Sequence, residues 1–141
     1  MKLSVSKEIA RPPEVVWQFL VIDHVRNHPR WDPNMELRPL TEGPTRVGTR
    51  IARRHTRLAT PIEGTMEVVE FEPPRTFGAV IHDETPAGPL EVRSRMTLKP
   101  SGADGTILTI ELELPGRAES MDPSMVEGSL AKMKELIEAE T

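Results

Sequence analysis

The stretch NHPRWDPNM (27–35) sets a lone tryptophan between two prolines, beside a histidine and an aspartate. Before it, apolar residues recur at helical spacing; after it, they alternate. Pro29 pushes the preceding residue out of the α region, so a helix is predicted to stop at about His28. Asp32-Pro33 is turn chemistry, and from Met35 onward the period is two. Trp31 therefore reads first as a hinge anchor, because indole prefers burial with its polar edge satisfied.

Upstream, Leu3, Val5 and Ile9 are spaced as on a strand. RPPEVVWQFL (11–20) opens a helix, proline being tolerated in the first turn, and Val16, Trp17 and Leu20 make its apolar stripe. Asp23 can cap a second short helix through HVRNH (24–28). Downstream, MELRPL (35–40), RVGTRIARRHTRL (46–58), IEGTMEVVEF (62–71), TFGAVIH (76–82), PLEVRSRMTL (89–98) and TILTIELEL (106–114) read as six strands between turn signals such as TEGP, ATP and KPSGADG. A final helix is predicted with Asp122 as N-cap and Pro123 in first position. Val126, Leu130, Met133 and Ile137 form its apolar face. These elements predict an α+β fold in one domain over 1–141: an antiparallel sheet of about seven strands, two short helices between strands 1 and 2, and a long C-terminal helix as cover.

Composition narrows the function classes. A chain of 141 residues can bury ~68% of its unfolded surface and hold a true core. A net charge of −4 leaves no electrostatic footprint for nucleic acid. The absence of cysteine removes disulfides, thiolate metal sites and a cysteine nucleophile. No apolar run suits a signal peptide or a membrane-inserted helix, and a cytoplasmic location is expected.

A register follows from pairing charges and apolar residues across the strands. With Arg53 opposite Glu67 across a short ATP loop, Arg57 meets Glu63, His55 meets Thr65 and Ile51 meets Val69. Phe71 can face Phe77. Leu90, Val92, Ser94, Met96 and Leu98 can face Leu114, Leu112, Ile110, Leu108 and Thr106. The inner face is then apolar at one end and polar at the other, where Arg53, His55, Arg57, Glu63, Thr65 and Glu67 gather. Either that hairpin tip projects into water or it lines a cavity.

The segments I-ARPPEVVWQFL, HPRWDPNM, EGPTRVGTRI, VVEFEPPRTF and LAKMKELIEAE, in this order over nearly the full chain, resemble the START-like/Bet v 1-like (SRPBCC) superfamily and, within it, the polyketide cyclase/dehydrase and lipid-transport branch. The resemblance implies the helix-grip fold, a curved sheet wrapped on the C-terminal helix, with a cavity between the two. It also implies a place for Trp31 near the cavity mouth. It does not specify a reaction, since function lives in the site and not in the fold.

Several groups could carry chemistry. Arg53, His55 and Glu67, with Glu63, form the acid–base candidate: His55 as a base near neutral pH, Arg53 and Glu67 orienting a carbonyl or phenolate. The same arginines and glutamates also read as cross-strand ion pairs. His24 and His28 are four apart, but Val25 stands where a zinc-protease motif needs glutamate, so they read as residues of a solvated helix. No metal and no cofactor are expected. The arginines of TRIARRHTRL split between two strand faces, which argues against nucleic acid. Ser94 could offer a ligand one hydrogen bond. Met96, Met121, Met125 and Met133 suit an adaptable apolar interior, with Met66 on the outer face unless a bulge flips it. Gly128-Ser129 in mid-helix leaves room beneath the helix or allows close backbone approach.

The leading expectation is binding or transport of a small apolar or aromatic molecule in an internal cavity. Its candidate lining is Trp31, Ile51, His55, Val69, Phe77, Ala79, Ile81, Val92, Ser94, Met96, Leu108, Ile110, Leu112, Met125, Ser129, Leu130 and Met133. The alternatives are a polyketide cyclase/dehydratase-type enzyme using Arg53, His55 and Glu67, and a chaperone-activator-like interaction domain with a filled core and an exposed apolar patch.

Overall fold

The structure is a computed structural model and describes residues 2–57, 59–115 and 123–141. The predicted N-cap Asp122 and the predicted inward Met121 lie outside the described residues. The chain runs β1 (Lys2–Ile9), α1 (Pro13–Trp17), a π-helical turn (Gln18–Ile22), α2 (His24–Trp31), β2 (Met35–Pro39), β3 (Arg50–His55), β4 (Ile62–Glu72), β5 (Thr76–Thr85), β6 (Gly88–Ser101), β7 (Gly105–Glu113) and α3 (Pro123–Glu140). The seven strands form one antiparallel sheet in the order β1-β7-β6-β5-β4-β3-β2. This is the helix-grip architecture. No helix among the described residues is long and apolar enough to cross a membrane.

Alternation puts Phe77, Ala79 and Ile81 of β5, Met96 and Leu98 of β6, and Leu108 and Ile110 of β7 on the inner face, all buried. Val16, Trp17, Phe19, Leu20 and Val21 cover them from α1 and the π turn, and Trp17 meets Phe71 and Phe77 with ring centroids 5.5 and 6.4 Å away. Leu130, Met133 and Ile137 of α3 are buried, and Val126 packs partly against the same core. The end of α3 is tied to the rest of the chain by polar contacts. The Ala10 N–H donates to Glu138 at 2.8 Å, Lys134 donates to the Glu8 carbonyl at 3.0 Å, and Arg30 of α2 pairs with Glu140.

The helix predicted to stop before Pro29 continues to Trp31 with Pro29 inside it. A proline removes one intrahelical hydrogen bond, but the next turn closes with Asp32 N–H to the His28 carbonyl at 3.0 Å, and Trp31 is buried at the end of it. Asp23 makes no side-chain cap; its carboxylate accepts from Gln18 at 3.2 Å instead.

The β3–β4 register differs from the predicted one by three residues. Arg53 lies opposite Gly64, Ile51 opposite Met66, and Arg50 opposite Glu67. The strands separate earlier than a short ATP loop would allow, because the Thr56 N–H donates to the Asn34 carbonyl at 2.9 Å and Arg57 pairs with Asp32. Both residues are thereby drawn to the α2–β2 corner. An odd shift turns the partner strand over: Gly64 and Met66 face inward, while Glu67 and Val69 face outward. A bulge between Val68 and Glu70 restores the phase, so Phe71 faces Phe77 as predicted. In β6–β7 the offset is two residues, with Ser94 opposite Leu112, Met96 opposite Ile110 and Leu98 opposite Leu108. An even offset leaves every side chain on its predicted face.

Candidate functional site

The polar end of the inner face is built by three adjacent strands. Arg53 on β3, Gly64 on β4 and Asp83 on β5 share one row of the sheet. With no side chain on the middle strand, the outer two can meet above it. A Cβ at Gly64 would fall 2.0 Å from Asp83 Oδ1 and 2.3 Å from the His82 carbonyl oxygen, so only glycine fits. Arg53 Nε stands 3.2 Å from Asp83 Oδ1, with side-chain exposures of 12% and 6%. They are an ion pair by distance, yet the Nε–H is not aligned on the oxygen, and neither atom has a hydrogen-bond partner. His55 Nδ1 is buried and also without one. Three such atoms together depart from the rule that buried polar groups are satisfied.

The α2 helix closes this end from above, and its histidines are not solvated as the sequence reading had them. His24 is buried among Leu20, Trp31 and Phe77, and Asn27 is wholly buried, donating to the Phe19 carbonyl at 2.9 Å. His24 Nδ1 lies 3.1 Å from the Leu20 carbonyl and must donate to it, since a carbonyl only accepts. Its Nε2 therefore holds the lone pair that accepts from His28 Nδ1–H, also at 3.1 Å. This chain needs a neutral His24 ring, while His28 can donate from Nδ1 whatever its Nε2 carries. Burial, opposed by the Leu20 hydrogen bond and aided by the nearby Arg53 charge, lowers the His24 pKa from 6.5 to about 4. Burial, then His24, Arg53 and Arg57, lower that of His28 to about 2. The His55 pKa is also lowered, first by burial and then by Arg57, against the opposing pull of Asp83. The Arg53 pKa is lowered by burial and held up by Asp83. Trp31 stacks on His28 at 5.0 Å and lies 6.1 Å from Phe19, which makes it the anchor of this corner.

Residues 1–138 match the sequence pattern of the family described as polyketide cyclase / dehydrase and lipid transport. The chain belongs to that family. Solved structures of similar fold include Ara h 8.0201, at a TM-score of 0.76 and 11% identity over 99% of each chain. Norcoclaurine synthase from Thalictrum flavum, solved with dopamine and hydroxybenzaldehyde, has a TM-score of 0.74 and 12% identity over 100% of this chain and 88% of its own. Protein MLL2253 from Mesorhizobium loti has a TM-score of 0.73 and 19% identity over 100% of this chain and 99% of its own. At these identities the likeness is one of fold. No curated protein matches the sequence.

In this member of the family, Trp31, Ile51, Phe77, Ala79, Ile81, Met96, Leu108, Ile110, Leu130 and Met133 are buried. His55, Val92, Ser94, Leu112 and Ser129 are half-buried. Three expected site residues lie elsewhere. Glu67 is exposed beside Arg50, Val69 is 49% exposed on the outer face as the extra residue of the bulge, and Met125 is 55% exposed in the first turn of α3. Gly128 faces open space rather than a neighbouring backbone. Glu63 neighbours Arg54 and not Arg57. Asp83 takes the place expected for Glu67, and the sequence reading missed it, although it continues the inward alternation of Phe77, Ala79 and Ile81. A pocket of about 550 Å³ is lined mainly by outer-face residues, Val69, Gly78, Val80, Arg93, Arg95 and Glu111 among them, and also by Ala79, Ser94 and Leu112; none of the polar cluster lines it.

Proposed function

We propose that the protein binds a small hydrophobic molecule, as a carrier or sensor, between the sheet and α3, with the polar end of the molecule at Arg53, His55 and Asp83. The observation that carries this reading is the set of unsatisfied polar atoms within an otherwise apolar face. A buried group without its hydrogen bond costs about 1–3 kcal/mol, and a ligand that supplies the missing partner offsets that cost. The family description, which includes lipid transport, supports an apolar ligand, and the two molecules solved with norcoclaurine synthase, dopamine and hydroxybenzaldehyde, support an aromatic one with a polar end. The half-buried Val92, Ser94, Leu112 and Ser129 are the candidate lining toward α3.

Native mass spectrometry of the protein purified from its own host, compared with the same sample after denaturation, tests the reading. A discrete added mass that denaturation removes is expected, and Ser129→Trp should abolish it in a folded protein. A bare mass, with no thermal shift across apolar and aromatic compounds, would contradict it.

A cyclase/dehydratase-type reading has one observation in its favour: His55 and Arg53 lie with a carboxylate, Asp83 in place of Glu67. A base with a lowered pKa is unprotonated at neutral pH and free to accept a proton. On this reading His55→Ala stops turnover of an aromatic or polyketide-like substrate without weakening its binding.

A further inference from the structure

Resting on the binding reading above, we propose that the ligand group held at Arg53, His55 and Asp83 is uncharged and both donates and accepts a hydrogen bond, as a hydroxyl, phenol or carboxamide does, and is not a carboxylate. Charge balance comes first. Two guanidinium groups, Arg53 and Arg57, face two carboxylates, Asp83 and Asp32, and these four are the charges that act on His55. Above them His24 is neutral by its own hydrogen bonds, and burial keeps His28 unprotonated. A carboxylate entering this balanced set would be a buried charge without a counter-charge, which is strongly unfavourable.

Atom types come second. Asp83 Oδ1 accepts only, Arg53 Nε–H donates only, and the two are 3.2 Å apart with neither satisfied. One oxygen bearing one hydrogen, placed beside both, donates to the first and accepts from the second. A hydrocarbon satisfies neither, and a carboxylate cannot donate. The Asp83 side chain is 6% exposed, so bulk water does not readily serve the unpartnered oxygen. The place over Gly64 is already taken by the Asp83 carboxylate, whose Oδ1 lies 2.0 Å from where a Cβ would stand, so the oxygen of the ligand approaches from the side of the cluster that faces α2 and α3.

Calorimetric titration at pH 7 with two matched sets tests this: 2-naphthol, 2-naphthoate and 2-methylnaphthalene, then 1-octanol, octanoate and octane. In at least one set the alcohol should bind about tenfold more tightly than the hydrocarbon, as a charge-assisted hydrogen bond predicts, and the carboxylate more weakly than both. Asp83→Asn leaves the site with an excess positive charge and should reverse the order of alcohol and carboxylate. If that variant does not fold, Arg53→Met with Asp83→Leu removes both charges together, and alcohol and hydrocarbon should then bind equally. Tightest binding of the carboxylate to the unaltered protein would overturn the inference and leave the binding reading standing. Equal binding of alcohol and hydrocarbon to the unaltered protein would do the same. Binding of no member of either set would overturn both.

Discussion

From β5 to β7 the inner face carries Phe77, Met96, Leu98, Leu108 and Ile110, all buried, with Trp17 against Phe77. From β3 to β5 the same face carries Arg53, His55 and Asp83 beneath the histidines of α2. The first region stabilises the fold in the ordinary way, at about 25 cal/mol for each Å² of apolar surface removed from water. The second takes charges out of water, and pairs of this kind are often replaceable by hydrophobic residues with no loss of stability. The apolar region accounts for the fold. The polar region calls for a different explanation, and its unsatisfied atoms point to a ligand.

The contrast is sharpest at Arg53. Arg53→Met alone leaves the Asp83 carboxylate buried without its partner and should lower the unfolding free energy by about 3–5 kcal/mol. Adding Asp83→Leu should restore it to within about 1 kcal/mol of the parent, or exceed it. At the apolar end, Leu108→Ala should cost about 2–5 kcal/mol through the cavity it leaves. Denaturant midpoints measure all three. A double variant no more stable than Arg53→Met would make the pair a structural necessity and remove the contrast.

Between pH 7 and pH 5 acid should act first on the polar end. Unfolded, His24 and His28 take up protons near pH 6.5; folded, they resist until about pH 4 and about pH 2. Between these values the unfolded state binds more protons, so stability is full above pH 6.5 and falls as the pH drops. The loss by pH 5 is about 2 kcal/mol per histidine. The melting temperature should decline from pH 7 to pH 5, and His24→Gln should flatten the slope. A melting temperature constant over that range would contradict the buried, neutral pair.

The order of the elements, the strand faces of β5 to β7 and the apolar face of α3 were legible in the sequence. Alternation there is unbroken, and the two-residue offset between β6 and β7 moves no side chain to the other face. The β3–β4 register was not legible. It is set by Thr56 and Arg57 reaching Asn34 and Asp32, contacts with the α2–β2 corner that strand periodicity does not encode. That misplacement brought in Glu67 and Val69, and Asp83 was left out because the strand from Thr76 was read as ending at His82, whereas it runs to Thr85. Two signals could have found the polar cluster: a glycine in the middle of β4, and the spacing of Leu20, His24, Asn27 and Trp31, which puts both polar residues on one buried face.

The most direct test of the account is to map where 2-naphthol binds, by following backbone amide shifts of the ¹⁵N-labelled protein during titration. The largest shifts are expected at His24, Arg53, His55 and Asp83, on the inner face. Shifts confined to Val69, Gly78, Val80 and Arg95 would place the molecule in the outer pocket and contradict it.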